Sequence, residues 1–191
     1  MAEREHLFRH PTGTDPDSGE RFLFFWRTES PFSQWHESRF THRDETFFTA
    51  EQWMMAGKAR LFGDEEIRAK ILATSDPRQQ KALGRKVRHF DADRWTAHSF
   101  GVVYLGNWLK FAPASGLHGR LKETVGLTLV EASPLDTIWG IGLAAEDDDA
   151  IYRSRWRGEN RLGKVLTELR EDFLAQRADA RAKAFFDETG V

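Results

Sequence analysis

Apolar and polar positions follow two periods along this chain, and each marks a different kind of element. The short aromatic run "RFLFFW" (21–26) reads as a strand, and "ETFFT" (45–49) as a second one. The period becomes helical in "FFTAEQWMMAGKARLF" (47–62). Thr49 is its N-cap and Gln52, three residues on, completes a capping box; Phe48 before the cap is placed to staple onto Trp53. "GDEEIRAKILAT" (63–74) predicts a helix from its acidic first turn and from Ile67, Ile71 and Leu72. "DPRQQKALGRKV" (76–87) opens with Asp as cap and Pro at the first helical position. A long helix follows from about Asp93 to Phe111, stopped by Pro113, then a short one around "LHGRLKET".

In the second half "LTLVEAS" (127–133) is the strand, and "PLDTIWGIGLAAEDDDA" reads as loop with a solvated acidic run. "ENRLGKVLTELREDFLAQRADARAKAFF" predicts one long terminal helix, amphipathic through Leu162, Val165, Leu166, Leu169 and Phe173. Residues 1–20, rich in Pro, Gly, Asp and Thr, read as a flexible tail, and 21–191 as one domain. The fold class expected is mainly α: a single compact helical domain with a few short β-strands.

Composition narrows the chemistry. The 191 residues suffice for one substantial core. A formal net charge of −2 gives no global basic field for nucleic acid. Seven Trp and fifteen Phe against two Tyr supply rings for a core or for a pocket that stacks on flat heterocycles. With no Cys, a disulfide framework, a thiolate nucleophile and Cys-ligated zinc are excluded. The first twenty residues lack the apolar stretch of a signal peptide, and no apolar run reaches the ~18 residues of a membrane span, so a cytoplasmic protein is expected. His6 and His10 lack the carboxylate context of a metal site, and no P-loop, GxGxxG or GxSxG is present. No metal and no cofactor are expected.

Glu51 and Lys58 are the exception to the apolar pattern. Seven positions apart, they project within about 20° of each other on the arc that carries Met54, Met55, Leu61 and Phe62, with Cα atoms about 10 Å apart. Charged side chains seldom occupy such places unless paired or at work. The bland reading is a buried bridge to another helix, or a Lys stem reaching out to water. The functional reading is a carboxylate and an amine on one wall of an aromatic pocket, the first moving protons and the second attacking a carbonyl carbon. A second cluster combines Asp136 and Trp139 in a glycine-rich loop with Gly158, Asn160 and Gly163 flanking the first turn of the last helix. Free backbone N–H groups there suit a phosphate; the bland reading is an N-cap with turn glycines. Trp95, alone, reads as core.

In order, "SPFSQW", "FFTAEQWMMAGKARLF", "LGRKV", Trp95 with "NWLKF", "LVEASPLDTIWGIG" and "GENRLGKVLTELR" resemble the YbiA-like, or NADAR, family of N-glycosidases over roughly residues 22–174. Two positions depart from the family pattern: Gln52 stands for its usual His, and Gln34 for its usual Asn. The resemblance implies a compact, mainly α fold and cleavage of a bond between ribose C1 and a base-like nitrogen. The substrates it implies are phosphoribosylamino-pyrimidine intermediates of riboflavin synthesis, or ADP-ribose on guanine of DNA or RNA. It implies Lys58 as nucleophile, Glu51 as acid/base, and Asp136 for proton transfer or ribose binding. Phe32, Ser33, Trp95, Trp139 and Gly140 would then bind substrate, and Gly158, Asn160 and the Leu162 backbone would receive phosphate. Arg60, Arg85, Lys86, Arg88, Arg153, Arg155 and Arg157 are candidates for a basic rim, and "YRSRWRGEN" tilts the reading towards a larger, charged substrate. The alternatives are a non-catalytic ADP-ribose or nucleotide-binding module and a purely structural helical protein.

Overall fold

The computed structural model describes residues 10–190. Its centre is a three-stranded sheet, β1 (Thr12–Thr14), β2 (Arg21–Phe25) and β5 (Thr128–Glu131), with β2 in the middle. β1 runs antiparallel to β2 and β5 parallel to it, pairing Phe22 with Thr128 and Phe25 with Glu131. The apolar run of β2 follows from this place: Leu23 and Phe25 enter the main core, and Phe22 and Phe24 a smaller core with Val130 and Ile141. β3 (Phe40–His42) and β4 (Glu45–Phe47) form a separate hairpin. Thr12–Thr14, within the stretch read as a flexible tail, is thus an edge strand, while residues 1–9, His6 among them, lie outside the described part.

Helices α1 (Ala50–Leu61), α2 (Glu65–Leu72), α3 (Pro77–Gly84), α4 (Ala92–Lys110) and α5 (His118–Lys122) fill the crossover from β2 to β5. Thr49 and Asp76 cap their helices as expected, and Asp64 and Asp91 cap α2 and α4; each accepts a first-turn N–H. Two details differ from expectation. The Gln52 amide oxygen takes the N–H of Phe48 at 2.7 Å, one residue before the cap, in place of the capping-box bond. Phe47, not Phe48, packs on Trp53, with ring centroids 5.0 Å apart, while Phe48 lies under the Arg39 guanidinium.

The predicted terminal helix is two helices, α6 (Arg161–Leu174) and α7 (Ala178–Thr189). Gln176 adopts a left-handed φ of 56°, which ends α6 without a glycine. The buried Asp172 carboxylate then gathers Arg177, Arg181 and the Tyr104 hydroxyl, so α7 folds back along α4. Neither Gly nor Pro marks this break, so the helical period hides it.

Candidate active site

α1 turns its charged arc towards the C-terminal end of β5. A cavity of 190 Å³ opens there, lined by Glu51, Met54, Met55 and Lys58 of α1, Lys81 and Gly84 of α3, and Arg85. Trp95 at the start of α4, Glu131 at the end of β5, Asp136 and Trp139 of the following loop, and Gln34 and Trp35 complete it. α3 can lie this close to α1 because residue 84 is glycine: a Cβ there would stand 2.0 Å from Met55 Sδ. Larger spaces of 620 Å³ beside Phe32 and 510 Å³ beside Trp35 contain neither Glu51 nor Lys58. Chemistry rather than size selects the smaller one.

Burial displaces the titration of both Glu51 and Lys58. Glu51 is buried, and burial pushes its carboxyl up to about 7, with Lys81 and the Trp35 side chain pulling the other way. Burial lowers the Lys58 ammonium below the usual lysine range. Its Nζ lies 4.1 Å from the Phe90 ring centroid and 5.8 Å from that of Trp95, a hydrophobic mouth in which it has no ion pair among the described residues. Such an amine is closer to the neutral, nucleophilic form than one in water.

Asp136 enters differently. Its Oδ1 accepts the N–H groups of Ile138 (3.0 Å) and Trp139 (2.8 Å), shaping the loop, while Oδ2 faces Lys81 Nζ at 3.9 Å. Trp95 and Trp139 both line the wall; the Arg161 guanidinium lies 5.0 Å over Trp139.

Other residues expected to touch substrate do not reach the cavity. Phe32 is buried against Phe25 and Phe111 and lines the larger space. The Ser33 hydroxyl accepts the Trp35 N–H, and its carbonyl holds the buried Lys110 at 2.7 Å. The phosphate cradle expected at Gly158, Asn160 and Leu162 is already occupied by protein. The N–H groups of Glu159, Asn160, Arg161 and Leu162 donate to the carbonyls of Thr137, Gly140, Ile138 and Trp139. The start of α6 therefore carries the loop of Asp136 and Trp139. Gly140 contributes a carbonyl to this lattice, and a Cβ on Gly158 would stand 2.4 Å from that oxygen. Asn160 is no side-chain cap: left-handed and buried, it clamps β5, accepting the Glu131 N–H and donating to the Leu129 carbonyl, both at 3.0 Å. Leu162 is core.

Most of the expected basic rim is engaged elsewhere: Arg60 with Glu45, Arg88 with Asp64, Arg153 with Glu20 and Arg155 with Asp149. Arg85 alone of those candidates lines the cavity. Gln52, at the family's His position, faces away and donates its amide to the carbonyls of Ile71, Leu72 and Thr74.

Sequence reasoning missed Gln34 and Trp35 as lining residues, Lys81, and above all Glu131. For Glu131 a signal existed: strand alternation puts it on the face of Leu129, which belongs to the core.

The described residues contain no cluster of three or more His, Asp or Glu suited to a metal, and no helix among them is long and apolar enough to cross a membrane. Comparison with known proteins agrees with the fold and with the ordered motifs. An N-glycosidase, R617, of Acanthamoeba polyphaga mimivirus is 47% identical over 146 residues, covering 74% of this chain and 86% of the relative. The riboflavin biosynthesis protein PYRR of Arabidopsis thaliana is 30% identical over 111 residues, 56% of this chain and 17% of that protein. The solution NMR structure of the E. coli protein YbiA superposes with a TM-score of 0.67 at 26% identity, covering 82% of this chain and 86% of YbiA. The NADAR domain model matches residues 24–174, and the chain belongs to the NADAR domain family.

Proposed function

We propose that this N-glycosidase hydrolyses the bond between ribose C1 and a nitrogen of a base-like group, with Lys58 as nucleophile and Glu51 as its proton-transfer partner. The observation that carries the reading is their shared wall: a half-buried amine and a buried carboxyl, both with pKa values displaced towards neutrality, in one aromatic-lined cavity. As the ribose ring opens, the neutral Lys58 amine adds to C1. The base departs with a proton, leaving an imine between C1 and Nζ. Water adds to that carbon, the C1–Nζ bond breaks, and the amine is regenerated. Glu51 takes and returns the protons of Lys58 and of the sugar oxygen. Asp136 orders the loop and keeps Lys81 beside the carboxyl cluster, while Trp95 and Trp139 flank the base or the sugar.

Two observations favour a small ribose-phosphate substrate such as a phosphoribosylamino-pyrimidine. The cavity is compact, and the arginines of 153–155 are paired with the protein's own acids. The relationship to PYRR points the same way. One observation favours the alternative, ADP-ribose on guanine: the 510 Å³ groove lined by Arg39, His36 and Phe48 shares Trp35 with the cavity and offers room for a longer ligand. Turnover of each substrate by the wild type separates the two. A binding module would retain ADP-ribose without releasing any base.

A further inference from the structure

The cavity holds one carboxyl that the scheme above leaves unused. Glu131 ends β5, and its backbone is fixed on both sides: its N–H donates to Asn160 Oδ1, and its carbonyl accepts the Ile141 N–H, each at 3.0 Å. Its side chain lines the cavity, yet Oε2 is enclosed and has no hydrogen-bond partner among the described residues. A buried acceptor held rigidly without a donor is costly, and enzymes keep such groups where a ligand or a proton completes them.

The neighbours decide which. Glu51 and Lys58 face it from α1, Lys81 and Arg85 from α3 and its end, and Asp136 from the loop. Lys81 is the cation that draws the Glu131 carboxyl down, and its Nζ is turned to Asp136 at 3.9 Å. Glu51, Glu131 and Asp136 line one cavity, and like charge together with the burial of Glu51 and of the Glu131 carboxyl opposes ionisation of all three at once. Burial first, then Asp136, pushes the Glu131 carboxyl up to about 8, so it carries a proton at neutral pH.

We propose that Glu131 is a second catalytic carboxyl, the acid that protonates the leaving nitrogen as the ribose C1–N bond breaks. This rests on the N-glycosidase reading. The C1–N electron pair moves onto nitrogen, the Glu131 proton joins it, and Glu131 is left as carboxylate. Water then adds to C1 of the lysine imine and sheds a proton to Glu131. Water's hydroxyl ends on the sugar and a hydrogen on the base, with both Glu131 and Lys58 restored. Glu51, on the helix of Lys58, serves the sugar side, so the two carboxyls divide the proton traffic between the two ends of the breaking bond.

The test compares a phosphoribosylamino-pyrimidine with its nitro-substituted analogue, whose leaving nitrogen departs with little need of a proton. Wild type, Glu131→Gln and Lys58→Ala are assayed on both under single turnover. Glu131→Gln is expected to lose about 100-fold or more on the parent compound and less than about 5-fold on the analogue. Lys58→Ala should lose both. In the wild type, the parent rate should fall on the alkaline side while the analogue's rate stays level. That readout needs no variant, so a misfolded Glu131→Gln does not decide the matter. Equal losses on both compounds, an unchanged Glu131→Gln, or the same alkaline fall for both compounds overturns the role. A wild type inert towards both compounds and towards ADP-ribosylated guanine overturns the glycosidase reading itself.

Discussion

The backbone carbonyl of Gln34 accepts the N–H of Glu51 at 3.0 Å, tying the "SPFSQW" segment to the first turn of the helix that carries Glu51 and Lys58. Asn107, in the last turn of α4, donates to the Gln34 side-chain oxygen at 3.2 Å. Its other contact, to the Val103 carbonyl at 2.9 Å, fixes which way its amide points. The Gln34 Nε2 is then left as a buried donor without a partner among the described residues, in a side chain that lines the cavity. Gln34→Leu, which keeps the bulk and removes that donor, is expected to raise KM several-fold with kcat less affected, read from initial rates.

Replacement of Glu51 by Gln is expected to lower kcat by about 100- to 10,000-fold, the usual range for a general acid–base. The melting temperature should hold or rise, because a buried carboxyl is exchanged for a neutral amide of the same shape. Kinetics and thermal melting of one preparation separate a lost function from a lost fold.

Stability should depend on pH in a definite direction. The Glu51 and Glu131 carboxyls are raised to about 7 and about 8, so between the unfolded carboxylate range and those values the folded state holds more protons than the unfolded one. Their contribution therefore declines as pH rises from about 5 to 8. The buried Lys110, lowered to about 7, acts oppositely, adding stability only as pH rises above 7 towards the normal lysine range. Urea unfolding at pH 5.5 and 7 should show a fall in the wild type and a shallower one in Glu51→Gln.

Asn160→Ala should destabilise the fold by about 2–4 kcal/mol, since it leaves the Glu131 N–H and the Leu129 carbonyl without partners in a buried place. Denaturant midpoints measure this. A cost below about 0.5 kcal/mol would contradict the clamp.

Gln52→His, which installs the family's residue, should lower the melting temperature without raising kcat. One imidazole cannot both accept the Phe48 N–H and serve the carbonyls of Ile71, Leu72 and Thr74. A gain in turnover would show that this side chain reaches the chemistry.

Much of this was legible in the residues. The charged arc of Glu51 and Lys58 is a matter of helical period, and Thr49 and Asp76 announce their helices as caps. What the sequence hid depends on partners distant along the chain. Asn160 looks like an N-cap until its amide is seen spanning β5, and the α6 N–H groups look free until the 137–140 carbonyls fill them. Glu131 reads as the end of a strand because the crowding that makes it unusual comes from Glu51 and Asp136 on other elements. The bend at Gln176 rests on Asp172 holding Arg177 and Arg181, which no local period encodes.

Borohydride trapping under single turnover tests the central claim most directly. Wild type and Lys58→Ala are each incubated with a phosphoribosylamino-pyrimidine and, separately, with guanine-ADP-ribosylated DNA. Released base with a protein–sugar adduct formed by the wild type and absent from Lys58→Ala is the predicted result, and the substrate that yields it names the class. Bound ADP-ribose with no base released from either substrate would contradict the enzyme and leave a binding module in its place.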